Sequence, residues 1–460
     1  MNELPDLPFS SLTRSMFSTP AMRQMFSARA SVQGMLDFEA ALARAQARVG
    51  VIPQSAVEAI VHACDASRID LAGLAQHAAA SGNLAIPLVK QLTAVVAQTD
   101  KEASKYVHWG ATSQDAIDTG LILQLRRALA LITQDLDALI EALAVQAQQH
   151  RTTTVVGRTW MQHALPVTFG LKAAGWLDAA LRHRERLAAL TPRLLVLQFG
   201  GAAGTLASLG DKGEQVAQAL AEELALTLPD MPWHTQRDRV VECATVLGML
   251  TGSLGKMARD ISLMMQTDVG EVAEPAGEGR GGSSTMPHKR NPVACAAVLA
   301  CATRMPALVS TMLSGMVQEH ERALGAWQAE WDTLPDIVQL AAGALHQMRD
   351  IASGMTVDAV RMRHNLDMTH GLIMAEAVTL ALGATMGRLA AHQAVEAACH
   401  HALKSGRHLR DALLADPAIS AILPPERIDE LLDPSHYLGQ ATSFVDRVLH
   451  RARRALVFVS

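Results

Sequence analysis

The chain has 460 residues, long enough for a large buried core and for more than one domain. Apolar residues make up 49% and charged residues 18%, which excludes a disordered chain, and the formal net charge of −5 argues against a general nucleic-acid surface. Aromatics are only 3%, so the core must be built from Ala, Leu, Val and Met, a composition that favours helix over sheet.

The N-terminus, MNELPDLPFSSLTRSMF, has acidic residues and prolines where a signal peptide needs a basic start and an apolar run. No uninterrupted apolar stretch reaches membrane-spanning length. The five cysteines (Cys64, Cys243, Cys295, Cys301, Cys399) are scattered, without CxxC spacing, and read as small core residues of a reduced, cytoplasmic protein.

In chain order, the region before Val107 is helical, with Met35–Val49 its clearest helix. From Asp115 to His150 there is no proline, and Leu125, Leu129, Ile132, Leu136, Leu139 and Leu143 alternate four-three spacing. Pro166 fits the first turn of a helix running towards Leu190. The stretch 194–208 (LLVLQFGGAAGTLAS) predicts a strand-and-turn hairpin; no Gly-Lys-Ser/Thr follows its glycines, so it is no phosphate loop.

From Arg239 to Thr267, the residues Val240, Cys243, Leu247, Leu250, Leu254, Met257, Ile261 and Met264 repeat the heptad-like stripe. Each of these long helices would span roughly 40–50 Å, which predicts a bundle completed by other subunits. A further helix is predicted over 292–319 with Pro306 as a kink, and another over 371–401; Leu432–Gln440 reads as a late turn. The expected layout is all-α, in three successive helical regions: 1–106, a central long-helix bundle 107–354, and 355–460.

The helical pattern breaks between Asp268 and Asn291. Glycines at 270, 277, 279, 281 and 282 alternate with charged residues and almost no apolar anchor, which predicts a mobile surface loop. It ends in Ser283, Ser284, Thr285, His288, Lys289, Arg290 and Asn291, between Pro287 and Pro292. A loop (268–292) that delivers hydroxyls, a cation and an amide reads as an active-site lid; a plain solvated loop is the alternative.

The run Gly282-Ser283-Ser284-Thr285-Met286-Pro287-His288-Lys289-Arg290-Asn291-Pro292 resembles the shared motif of the fumarase/aspartase superfamily. His108-Trp-Gly-Ala-Thr112-Ser113-Gln-Asp115 is similar to that family's first motif, and Gly157-Arg158-Thr159-Trp160-Met161-Gln162-His163-Ala164 to its second, so the resemblance covers the whole chain. It implies three helical domains, a homotetramer with shared active sites, and no cofactor or metal. It also implies addition or removal of a group next to a carboxylate, through a carbanion delocalised into that carboxylate. By resemblance Ser283 transfers the proton, while Lys289 and Asn291 stabilise the developing dianion. Thr112 and Ser113 match positions that hold a substrate carboxylate; read without the family, they are a helix N-cap before Asp115. Gln162, Ser284 and Met286 are expected to line the same site.

Two departures bear on the substrate. Most members have a histidine directly after the threonine matching Thr159, where it handles the leaving group; this chain has Trp160. An indole cannot exchange a proton at neutral pH, so that step should need no acid–base help. A carboxylate group fits, because with a pKa near 4 it leaves or attacks already ionised. The alternative is that Trp160 fills the core and His163 has taken the histidine's role.

The stretch from Glu321 to Asp336 resembles one in adenylosuccinate lyases, but Trp331 stands where they have an arginine and Gly325-Ala326-Trp327 replaces a serine-rich run. The segments Gly34–Arg44, Leu197–Gly201 and Trp233–Arg239 look like bacterial carboxymuconate cycloisomerases. The expected reaction is therefore lactonisation of a tricarboxylate in aromatic-acid breakdown, with adenylosuccinate lyase or a non-catalytic homologue as alternatives. A tricarboxylate calls for cations: Arg237, Arg239, Arg158, Lys289 and Arg29 are the candidates. His108 makes either a structural hydrogen bond or a substrate contact. Neither nucleic acid nor membrane is an expected partner.

Overall fold

A computed structural model of the chain describes residues 9–277, 281, 282, 286 and 288–457. The helices that organise it are α1 (Ala28–Val49), α2 (Ser113–Gln149), α3 (Phe169–Leu194), α4 (Asp238–Met264), α5 (Val293–Ser314) and α6 (Ala326–Gly354). They are followed by α7 (Ala359–Asp367), α8 (Ala375–Met386) and α9 (Arg388–Ser405). The two predicted stripes are the buried faces of α2 and α4: no residue named for either exceeds 5% exposure. At 37 residues α2 is about 55 Å long.

By packing, the chain forms two compact units. One gathers residues up to Leu136 with His183–Gly255 and Ala297–His346; the other gathers Asp137–Arg182, Lys256–Ala296 and the residues from Gln347 on. The expected boundaries at 106/107 and 354/355 follow chain order, whereas the first unit joins segments of the first two expected regions and the second joins segments of the last two.

In the first unit α1 crosses α2 at Gly34 and Gly120. A Cβ on Gly34 would lie 2.8 Å from the Gly120 carbonyl oxygen, and one on Gly120 would lie 2.9 Å from the Gly34 carbonyl carbon. Only glycine admits backbones this close. In the second unit, Val378, Leu382, Val395, Leu409, Leu413 and Ile428 pack as one apolar core.

Several local expectations are corrected. Pro166 does not open a helix; it lies in β2 (Gln162–Thr168), opposite Val156 of β1 (Thr154–Thr159). A two-stranded ribbon has only edge strands, where proline's missing N–H is tolerated. The 194–208 stretch is not a hairpin: it leaves α3, makes a single parallel bridge from Val196 to Thr227 and turns at Gly201 and Gly204. The 371–401 helix is broken at Gly387, whose φ of 83° divides α8 from α9. Four cysteines are buried as expected, and Cys399 is half-buried. Burial pushes the Cys301 thiol up to about 11, away from reactivity.

Contrary to the reading of the sequence, α5 is long and apolar enough, by length and composition alone, to cross a membrane. Only 28% of its most apolar window is buried. Ala294, Cys295, Val298, Cys301, Met305 and Met312 are its buried positions, while Val293 and Leu313 stay exposed.

The α1–α2 crossing makes a direct prediction. Gly120→Ala should cost about 1–3 kcal/mol through overpacking, read as a lower thermal unfolding midpoint. An unchanged midpoint would contradict the close approach.

Candidate active site

In the first unit the site is built on the start of α2. Thr112 caps the helix: its N–H donates to the Asp115 carboxylate at 3.0 Å, half of a capping box. Asp115 is fully buried and accepts four more hydrogen bonds. The donors are Gln198 Nε2 at 3.2 Å, Gly200 N at 3.0 Å, Gly201 N at 2.9 Å and His234 Nε2 at 2.9 Å. The carboxylate thus joins the helix start to the 200–201 turn.

With Asp115 committed inward, the hydroxyls of half-buried Thr112 and Ser113 meet other partners. Arg322 Nη1 donates to Thr112 Oγ1 at 2.9 Å, and its Nη2 donates to the Ala202 carbonyl at 2.9 Å. Asn83 Nδ2 reaches Ser113 Oγ at 3.5 Å. Two hydroxyls, an amide and a guanidinium therefore surround the positive end of a long helix, an arrangement suited to a carboxylate. Thr112 is a cap and a candidate ligand at once. Reading the sequence missed Arg322 and Asn83. Arg322 stood in the stretch read only for its departures, and Asn83 follows the helix-ending Gly82 as an ordinary loop residue.

Arg237 is corrected as a pocket cation. It is 1% exposed. Its Nη1 donates to Asp118 at 2.7 Å and its Nη2 to Glu330 at 2.6 Å, with Nε also on Glu330. Burial opposes its charge, but the two carboxylates outweigh burial and hold its pKa up. No charge is left over for a substrate. Trp327 is buried beside this triad, its indole N–H donating to Asp118 at 3.1 Å. Arg239 donates to the Arg193 carbonyl, and exposed Arg29 to the Ala66 carbonyl. His108 Nδ1 lies 2.5 Å from Glu39 Oε1, a hydrogen bond of the structural kind, which was one of the two roles expected for it.

The second unit holds the other two motifs. The β1–β2 ribbon turns over Trp160 and Met161, both left-handed with φ of 52° and 65°, the geometry of a two-residue type I′ turn. Side chains other than Gly, Asn or Asp cost about 1–2 kcal/mol each there. Trp160 is 96% exposed and Met161 71%, so the core-filling alternative for Trp160 fails. Gln162, beside the turn, is exposed.

His163 is half-buried opposite Arg158, and its Nδ1 is buried without a partner. Burial and then the Arg158 charge lower its pKa against the pull of Glu271, so it is neutral at pH 7. Arg158 is also committed: it donates twice to Glu271, at 2.9 and 2.7 Å, and Asn365 Nδ2 donates to the same carboxylate at 2.9 Å.

The glycine-rich loop has a firmer root than expected. Glu271, Val272 and Glu274 are buried, and β3 (Val272–Ala273) pairs with β4 (Thr356–Val357). Glu274 accepts from Ala294 N at 3.1 Å and Cys295 N at 2.7 Å, which caps α5. Its carbonyl accepts from Arg290 Nη2 at 2.9 Å. Charged residues can therefore be anchors here, because α5's free N–H groups and the Arg158 fork satisfy them.

Gly282 bridges Arg290, and Asn291 N donates to Gly281 O at 2.9 Å, forming a neck. Gly281 has φ of 69°, and a Cβ there would lie 2.8 Å from Asn291 O. Lys289 and Met286 are exposed and Asn291 is half-buried. Ser283, Ser284, Thr285 and Pro287 lie outside the described residues. Among the described residues no three His, Cys, Asp or Glu side chains cluster as metal ligands would.

A family model described as Lyase matches residues 14–306, and one described as Adenylosuccinate lyase C-terminus matches 371–448. A 3-carboxy-cis,cis-muconate cycloisomerase of Pseudomonas aeruginosa is 59% identical over 446 residues, covering 97% of each chain. The crystal structure of 3-carboxy-cis,cis-muconate lactonizing enzyme from Pseudomonas putida matches with a TM-score of 0.93 at 57% identity, over 96% of this chain and 99% of that one. The beta-carboxy-cis,cis-muconate cycloisomerase of Acinetobacter calcoaceticus sp. ADP1 matches at 0.91 and 49%, over 96% and 100%. The chain belongs to the lyase family of the fumarase/aspartase superfamily, with that family's all-α fold.

The buried triad makes a prediction. Arg237→Met leaves Asp118 and Glu330 without their cation and should cost about 3–5 kcal/mol, seen as a large drop in unfolding midpoint. A midpoint within a degree of the parent's would show that Arg237 is not structural.

Proposed function

We infer that the chain catalyses the reversible lactonisation of 3-carboxy-cis,cis-muconate to 4-carboxymuconolactone, a step in aromatic-acid breakdown. The observation that carries this reading is Trp160, at an exposed turn of the second motif where most superfamily members have a histidine. The match to the P. aeruginosa and P. putida enzymes supports it.

In the reaction one substrate carboxylate oxygen forms a C–O bond to its own chain. The adjacent carbon gains the electron pair, delocalised into the neighbouring carboxylate, and a proton then closes a C–H bond. Ser283 supplies that proton in lactonisation and removes it in the reverse direction. Lys289 and Asn291 stabilise the charge that builds on the carboxylate, as fixed donors do for an oxyanion. A second substrate carboxylate binds at Thr112 and Ser113, with Arg322 and Asn83 beside them. Gln162, Met286 and Ser284 complete the lining. The attacking oxygen is already ionised at neutral pH, so no acid or base is needed where Trp160 stands.

The working enzyme is a cytosolic homotetramer whose sites draw residues from more than one subunit. The largely unburied apolar length of α5 supports this, because a second copy can cover it. Arg304 within α5, paired with Asp336, suits a protein interface better than lipid. The functional layout is the three-region one, 1–106, 107–354 and 355–460, with the loop 268–292 in the middle region.

Purified protein given 3-carboxymuconate should change its ultraviolet absorbance, and protein given adenylosuccinate should not. Activity on adenylosuccinate alone would overturn the reading, and Ser283→Ala should abolish turnover while leaving the helical spectrum intact. Light scattering should give four times the 49.1 kDa chain mass. A monomer at micromolar concentration would remove the shared-site proposal.

A further inference from the structure

The turn before Thr112 is held by α1 at two points. Glu39 bonds the His108 ring at 2.5 Å, and Gln46, two helical turns further along the same face, donates to the Trp109 carbonyl at 2.6 Å. His108 itself is left-handed, with φ of 58°, a conformation costly for a non-glycine residue. The Glu39 side chain is 2% exposed and that of His108 16%. A buried carboxylate is thus spent on the ring of a strained residue, four positions before the hydroxyl corner, rather than on the corner itself.

We propose that Glu39 is a positioning residue: it fixes Nδ1–H of His108 towards itself, so that the other ring nitrogen is presented as a cationic donor to a substrate carboxylate held at Thr112 and Ser113. The charged groups acting on His108 are Glu39 from α1 and Asp115 from α2. Burial disfavours the imidazolium, but the charge and hydrogen bond of Glu39, and then the charge of Asp115, outweigh burial and raise the pKa above the ordinary histidine value. Both ring nitrogens of an imidazolium are donors. Among the described residues nothing accepts from Nε2, so that donor is available. Asp115 is already filled by its own five donors and cannot replace Glu39 as the ring's partner.

The proposal rests on the carboxylate chemistry given above, and its test separates the two. Histidine-labelled protein is titrated by NMR, with the His108 signal identified by its loss in His108→Gln. In the parent, His108 should titrate above the free-histidine value of about 6.5, and in Glu39→Gln it should titrate at lower pH. With 3-carboxymuconate, KM should rise as pH climbs through the His108 titration, because the cation is present only below it. In Glu39→Gln that rise should begin at lower pH and reach about tenfold at a pH between the two titrations, the weight of one charge-assisted hydrogen bond, with kcat little changed. Glu39→Asp keeps the charge and should restore much of the parent's profile.

An unshifted His108 titration in Glu39→Gln would overturn the proposal. So would a KM that rises equally at every pH, which is the sign of a merely structural role. If the parent does not turn over 3-carboxymuconate, the functional reading fails, while the titration still tests the Glu39–His108 pair.

Discussion

The first unit depends on one buried anion, the carboxylate of Asp115. Its five donors come from the helix start, the 198–201 turn and His234, segments up to 119 residues apart in sequence. Hydrogen bonds to a charged group are worth about 1.5–3 kcal/mol each, but their value here is mainly geometric. A buried carboxylate must be satisfied, so each donor has one place to be. Three residues further along the same face of α2, Asp118 gathers Arg237 and Trp327, and Arg237 brings Glu330 with it. The corner of Thr112, Ser113, Arg322 and Asn83 keeps its shape because the acids behind it are fully engaged.

In the second unit the same principle holds the loop and the ribbon. Glu271 gathers Arg158 and Asn365, and Glu274 caps α5 and sits beside Arg290. Among the described residues, the ribbon tip at Trp160-Met161 stands apart from such ties. The tip adopts two unfavourable backbone conformations and exposes two large apolar side chains. In a monomer both are costs with no return, which is the expected signature of a turn shaped for a ligand or a second subunit.

The long helices were legible in the sequence because heptad-like spacing is a direct image of a buried stripe, and Leu125 to Leu143 and Val240 to Met264 are those stripes. The motifs were legible because their residue order is unusual, and Trp160 was legible as a departure. The β1–β2 ribbon was not, since Pro166 carries a strong local helix-start signal and only pairing with Val156 reveals the strand. The burial of Glu271, Glu274 and Arg237 was hidden for a related reason. A charged residue reads as exposed until its partner is known, and the partners of Arg237 lie 119 and 93 residues away. Arg322 and Asn83 were missed on the same ground, for their meaning lies in Thr112 and Ser113.

The central claim is that the oxygen nucleophile arrives ionised, so the position of Trp160 calls for no proton-transferring group. The direct measurement is the lactonisation rate of Trp160→His beside the parent, taken across the neutral pH range. No gain at any pH is the predicted result, with a loss acceptable because the indole's shape is removed. A large increase that follows the titration of the new imidazole would contradict the account, because it would show that acid–base help at that position limits the reaction.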